Sequence, residues 1–107
     1  MPPVPGGRQA DEPPADEQQV RLTARVAGSV QGVGFRWWTR ARALELALTG
    51  SATNLPGGGV EVVVQGPRAA CARLLALLQA GAGPGSTEHV AHWWGPAREG
   101  IEGFVER

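Results

Sequence analysis

The sequence has a single cysteine, no lysine and no long apolar run. With Cys71 alone, the chain can form no internal disulfide and no zinc site built from several thiolates. No apolar segment approaches the roughly 20 residues that a membrane-spanning helix needs. Residues 1–19 also lack the apolar stretch of a secretory signal. We therefore predict a cytoplasmic protein that does not enter the membrane.

The absence of lysine means that every fixed positive charge is a guanidinium, the group best shaped for bidentate contacts with phosphate or carboxylate. Codon bias is the simpler explanation of this preference. The charges are also unevenly divided, because residues 1–19 hold one arginine and four acidic residues, whereas the remainder holds nine arginines and six glutamates. The body of the protein is therefore mildly cationic.

A chain of 107 residues has room for one domain. Residues 1–19 combine proline, glycine and acidic residues with almost no apolar side chain, so burial cannot offset the entropy lost on ordering them. We predict a disordered N-terminal tail over residues 1–19 and one folded domain over residues 20–107.

Within the domain, hydrophobic periodicity alternates between the strand and helix patterns. Turn residues, mostly glycine and proline, separate the segments. The predicted elements are a strand from Val20 to Ala27, a helix from Phe35 to Leu48, a β-hairpin made of a short segment reaching Asn54 and a strand from Gly59 to Gln65, a helix from Pro67 to Gln79, a strand from Thr87 to Trp94 and a short last strand near Gly103 to Glu106. This βαββαβ order with an extra C-terminal strand predicts an α+β, ferredoxin-like two-layer sandwich, with both helices on one face of a mainly antiparallel sheet.

The first helix has two apolar sides, so periodicity alone does not choose which one is buried. One side holds Phe35, Trp38, Thr39, Ala43 and Leu46, and the other holds Trp37, Ala41, Leu44 and Leu48.

The glycine-rich segment Gly28-Ser-Val-Gln-Gly-Val-Gly34 joins the first strand to the first helix. Glycines allow successive backbone N–H groups to point into one concavity, which binds anions. The segment also opens onto a helix N-terminus, where the macrodipole adds positive potential. Arg36 lies at that opening and would add a charge-assisted contact to a phosphate. The glycine spacing alone fits an ordinary connecting loop better, since it matches neither the Walker nor the Rossmann pattern.

The complete string Gly28-x-Val-Gln-Gly-Val-Gly-Phe-Arg36 resembles the first signature of the acylphosphatase family. The run from Gly50 through Asn54 to Gly59-Val60 is similar to the family's second signature, and Gly103 to Arg107 resembles its usual last strand. The resemblance covers residues 20–107. It implies that Phe35 and Leu46 face the core while Trp37 and Leu44 point outward.

By this resemblance, Arg36 is the phosphate-binding arginine and Asn54 orients the attacking water. The predicted phosphate-binding set is Ser29, Val30, Gln31, Gly32, Val33, Gly34, Phe35 and Arg36. The implied activity is hydrolysis of acyl phosphates, mixed anhydrides whose carboxylate leaves readily, so that positioning and electrostatic stabilisation carry the catalysis. The expected enzyme is a monomer that acts on a small acyl phosphate without metal or cofactor, and it binds neither nucleic acid nor membrane.

The sequence departs from the family between Gly50 and Asn54, where Ser51, Ala52 and Thr53 replace larger and more basic residues. This departure keeps open a second hypothesis, a non-catalytic phosphate-binding or regulatory module of the same fold.

Two other kinds of site are disfavoured. An RNA-recognition domain has the same element order but needs aromatic residues on its central strands, which are absent here. His89 and His92, three residues apart on a strand, would lie on opposite faces and have no third metal ligand in view.

Overall fold

The computed structural model describes residues 15–107, which form two α-helices and five β-strands. A 3₁₀ turn, Ala15–Glu17, precedes the first strand. The elements are β1 (Gln19–Ser29), α1 (Phe35–Glu45), β2 (Thr49–Asn54), β3 (Val60–Pro67), α2 (Arg68–Gln79), β4 (Ser86–Pro96) and β5 (Phe104–Glu106). None of the helices in this part of the chain is long and apolar enough to cross a bilayer.

The five strands form one sheet in the order β4-β1-β3-β2-β5. All pairs are antiparallel except β2 and β5, which run parallel with Gly50 opposite Phe104. Both helices contribute to a single core against one face of this sheet. The predicted ferredoxin-like α+β sandwich with an extra C-terminal strand is therefore confirmed.

The structure differs from the sequence-based boundaries at the end of the predicted tail. Ala15–Glu17 form a 3₁₀ turn, and β1 begins at Gln19. The carbonyl of Gln18 accepts a hydrogen bond from the N–H of Arg68 at 2.9 Å, which joins this segment to the start of α2. Residues 1–14, the rest of the predicted tail, lie outside the described residues.

The core settles which side of α1 is buried. Phe35, Thr39 and Ala43 are buried, whereas Trp37 is 63% exposed, as the family resemblance implied. The helix ends at Glu45, three residues before the predicted end, and Ala47 follows with a positive φ of 58°. The buried apolar residues that the helices cover are the alternate strand positions Val20, Leu22, Ala24, Val26, Ala52, Val60, Val62, Val64 and Phe104.

The opposite face of the sheet carries polar residues, including an ion pair between Arg25 and Glu61 at 3.0 Å. The segment between β4 and β5 is tied to this face by Gln65, a buried polar residue of β3. Its Oε1 accepts from the N–H of Arg98 at 2.7 Å, and its Nε2 donates to the carbonyl of Arg98 at 2.9 Å. Both polar atoms of the buried amide are thus paired, which avoids the cost of an unsatisfied buried group.

Candidate active site

The loop between β1 and α1 depends on glycines in left-handed backbone conformations. Gly32 and Gly34 have φ values of 76° and 86°, which residues with a Cβ rarely adopt. Gly28, with φ of 136°, also lies so close to β4 that an added Cβ would overlap the carbonyl oxygen of Ser86. The loop therefore keeps its shape only with glycine at these positions.

A small cavity of about 80 Å³ lies where this loop meets the N-terminus of α1. The N-cap is Gly34, and no side chain of residues 15–107 caps the helix, which leaves the N–H groups of the first turn without a side-chain cap from this part of the chain. Such N–H groups are suited to bind an anion. The guanidinium-bearing Arg36 belongs to the same turn. Five of the eight predicted phosphate-binding residues border the cavity, namely Val30, Gly32, Gly34, Phe35 and Arg36.

Arg36 and Asn54 meet at one oxygen atom. Arg36 donates from Nη1 to the carbonyl of Arg107 at 2.5 Å, and the backbone N–H of Asn54 donates to the same carbonyl at 3.0 Å. The N–H of Arg107 in turn donates to the carbonyl of Ala52 at 2.8 Å. The segment after β5 therefore brings together the two residues that the sequence singles out, although they come from α1 and the end of β2.

The side chain of Asn54 has an unusual environment. Its Oδ1 is buried, and no hydrogen-bond donor among residues 15–107 reaches it. A buried acceptor without a partner costs free energy on the order of 1–3 kcal/mol. Asn54 is not among the residues that border the 80 Å³ cavity.

Gln31 makes a side-chain contact in addition to the backbone role predicted for it. Its Nε2 donates to the carbonyl of Leu55 at 2.8 Å and to the carbonyl of Gly59 at 2.7 Å. These two carbonyls flank the turn between β2 and β3, directly after Asn54. The side chain of Gln31 thus fastens the glycine-rich loop to the segment that carries Asn54, and only its backbone is left to contribute to an anion site.

Comparison with known proteins identifies the family. The family model described as Acylphosphatase matches residues 22–105, nearly the whole described domain. The chain belongs to the acylphosphatase family. It is similar to an acylphosphatase of Saccharopolyspora erythraea, with 64% identity over 92 residues that cover 86% of this chain and 97% of the relative.

Solved structures of acylphosphatases agree with this assignment. The structure of an acylphosphatase from Coxiella burnetii is 34% identical and superimposes with a TM-score of 0.75, covering 84% of this chain and 94% of that one. The acylphosphatase crystal structure from Bacillus subtilis gives a TM-score of 0.76 at 27% identity, with coverage of 82% and 98%. The fold and the family are therefore supported independently.

The acylphosphatase cavity has two further neighbours, Trp37 and Glu106, that sequence reasoning did not assign to it. Trp37 follows Arg36 directly. Its predicted position on the outward side of α1 was the only sequence feature that could have indicated its place beside the cavity. Glu106 lies two residues after the buried Phe104, and alternation along a strand puts both on the helix-bearing side of the sheet. That alternation could have indicated Glu106 in advance.

Proposed function

We propose that this protein hydrolyses acyl phosphates to a carboxylate and inorganic phosphate, with Arg36 and loop amides holding the phosphate and Asn54 holding the attacking water. Membership of the acylphosphatase family supports the reaction. The observation that carries the residue roles is that the Arg36 guanidinium and the Asn54 backbone N–H both donate to the Arg107 carbonyl, since this brings the start of α1 and the end of β2 together at one atom.

The chemistry requires little beyond what this arrangement offers. A mixed anhydride has a good leaving group, so the barrier falls mainly through positioning and through stabilisation of charge on the transferring phosphoryl group. The guanidinium of Arg36 and the N–H groups of the loop and first helical turn would donate to the phosphoryl oxygens. Such charge-assisted bonds are stronger than neutral ones and act on charge that grows in the transition state.

Asn54 is suited to hold the nucleophile. A water that donates one proton to the buried Oδ1 would satisfy an acceptor that has no protein partner within residues 15–107. The NH₂ group of the same carboxamide could then donate to the phosphate or to the water. This assignment explains why an unsatisfied buried atom is tolerated here, because ligand binding would remove its cost.

We also propose where the enzyme works and what it binds. The substrate is a small acyl phosphate recognised through its phosphate end. The enzyme works as a cytoplasmic monomer without nucleic acid or membrane binding, and its catalysis depends on protein groups rather than on a bound metal.

The test is steady-state hydrolysis of benzoyl phosphate by the wild type and by single variants. Arg36→Ala and Asn54→Ala should each lower kcat/KM by at least about 100-fold, the scale found when one oxyanion-stabilising donor is removed. Arg73→Ala is the matched control, because Arg73 is exposed on α2 and makes no ion pair within the described residues. Phosphate binding by a wild-type protein that hydrolyses nothing would instead favour the non-catalytic module.

A further inference from the structure

The cavity beside Arg36 is small. Its volume is about 80 Å³, whereas pockets that enclose a drug-sized molecule measure about 300–1,000 Å³. With the phosphate end beside Arg36 and the N–H groups of the first helical turn, as proposed above, the acyl group is left to the other residues that border the cavity. Two residues that border the cavity, Trp37 and Glu106, have no part in the proposed phosphate contacts, and we call this pair the rim.

Trp37 differs from the other three tryptophans of the chain. Within the described residues, each of the others has a guanidinium over its ring: Arg25 over Trp93, Arg42 over Trp38 and Arg68 over Trp94. Trp37 has neither a guanidinium nor an aromatic partner in this part of the chain. It is also 63% exposed and belongs to the helical turn that borders the cavity. An indole with an uncovered face beside a phosphate site is suited to stack on an aromatic or apolar group.

Glu106 brings a negative charge to the same rim. It is exposed on β5, and it forms no ion pair within residues 15–107 that would neutralise it. A carboxylate at this position repels an acyl group that carries its own negative charge. Trp37, which borders the same cavity, is apolar and carries no charge.

We infer that the rim formed by Trp37 and Glu106 selects acyl phosphates whose acyl group is aromatic or apolar and uncharged, over those whose acyl group carries a carboxylate. The inference rests on the proposed function, since it concerns the acyl end of the same substrate. Trp37 acts here by attraction and Glu106 by repulsion, so the two contributions can be separated by mutation.

The experiment compares kcat/KM for benzoyl, acetyl and succinyl phosphate in the wild type, Trp37→Ala, Glu106→Gln and Trp93→Ala. The benzoyl-to-acetyl ratio should fall about 2- to 10-fold in Trp37→Ala, the value of one aromatic contact. The succinyl-to-acetyl ratio should rise about 2- to 5-fold in Glu106→Gln at low salt, as expected for one exposed charge. Trp93→Ala, which removes an exposed tryptophan from the opposite face of the sheet, should leave both ratios unchanged.

Competitive inhibition by inorganic phosphate serves as the second readout, because it reports the phosphate end alone. If Trp37→Ala lowers all three kcat/KM values equally and weakens phosphate inhibition by the same factor, Trp37 supports the loop and the inference is wrong. A wild type that hydrolyses all three substrates with equal kcat/KM overturns the inference but leaves the proposed function intact. A wild type that hydrolyses none of them overturns the proposed function itself.

Discussion

Replacing Gln31 with alanine should separate the glycine-rich loop from the turn after Asn54. The change removes two hydrogen bonds, of 2.8 Å to the Leu55 carbonyl and 2.7 Å to the Gly59 carbonyl. Each carbonyl keeps another partner, because Gly58 donates to Leu55 at 3.2 Å and Leu55 donates to Gly59 at 3.1 Å. Neither is left unsatisfied, so the cost is the ordinary value of about 0.5–1.5 kcal/mol per bond. We expect a total loss of roughly 1–3 kcal/mol in the free energy of unfolding.

For a domain of this size, such a loss lowers Tm by about 4–8 °C for each kcal/mol. The effect on catalysis should be larger, since a displacement of about 1 Å in a catalytic group can cost on the order of 100-fold. We expect kcat for benzoyl phosphate to fall at least about 10-fold. The inhibition constant of inorganic phosphate should change less, because under the proposed function Arg36 and the amides of the first helical turn would still reach the anion.

Two variants make this test decisive. Gln31→Glu keeps the length of the side chain but removes both donors, so it should lose activity as Gln31→Ala does. Gln79→Ala, at the exposed end of α2, should leave Tm and kcat unchanged. If Gln31→Ala retains kcat within a factor of two of the wild type, the loop and the turn do not need this connection and the reasoning fails.

Three further outcomes are expected. Gly28→Ala should destabilise the fold by more than about 2 kcal/mol in chemical denaturation, because Gly28 has a positive φ and an added Cβ would overlap Ser86. Gly95 has open space around it among the described residues, so Gly95→Ala should be close to neutral. Burial raises the pKa of the Cys71 thiol from 9.0 to about 11, so the folded state favours the protonated thiol. The free energy of unfolding should therefore decline as pH rises from about 9 through 11. Denaturation curves measured at each pH should show this decline in the wild type but not in Cys71→Ala. Phe104→Ala should cost about 3–5 kcal/mol of stability and lower kcat more than its effect on Tm explains, since Phe104 anchors β5 in the core; unchanged turnover in a destabilised variant would contradict the coupling.

Much of the fold could be predicted because it follows from local patterns. Strict alternation in β1 and β3 identified both strands and their buried sides, and the confirmed order of elements gave the two-layer arrangement. The buried side of α1 could not be chosen from periodicity, because both of its sides are apolar. The pairing of Gln65 with Arg98 was equally out of reach, since it joins residues far apart in sequence through a polar side chain that composition would place at the surface.

The candidate site was predictable in its parts but not in its connections. The residues of the glycine-rich loop and Asn54 stand in recognisable strings, so their identity could be read directly. Arg36 and Asn54 meet at the Arg107 carbonyl, and this contact depends on β5 lying parallel beside β2, which no local pattern specifies. The role of Gln31 was hidden for the same reason, because its partners are carbonyl oxygens of the main chain, which every residue possesses.

The strand β5 has a consequence for how activity responds to heating. It is three residues long, lies at an edge of the sheet and has Phe104 as its single buried residue. Short edge segments with few buried contacts open locally at a smaller free-energy cost than the central strands. Fraying of β5 would withdraw the carbonyl that Arg36 and Asn54 share while β1 and β3 stay paired. Thermal inactivation should therefore begin below the melting temperature, with amide hydrogens of β5 exchanging before those of the sheet centre.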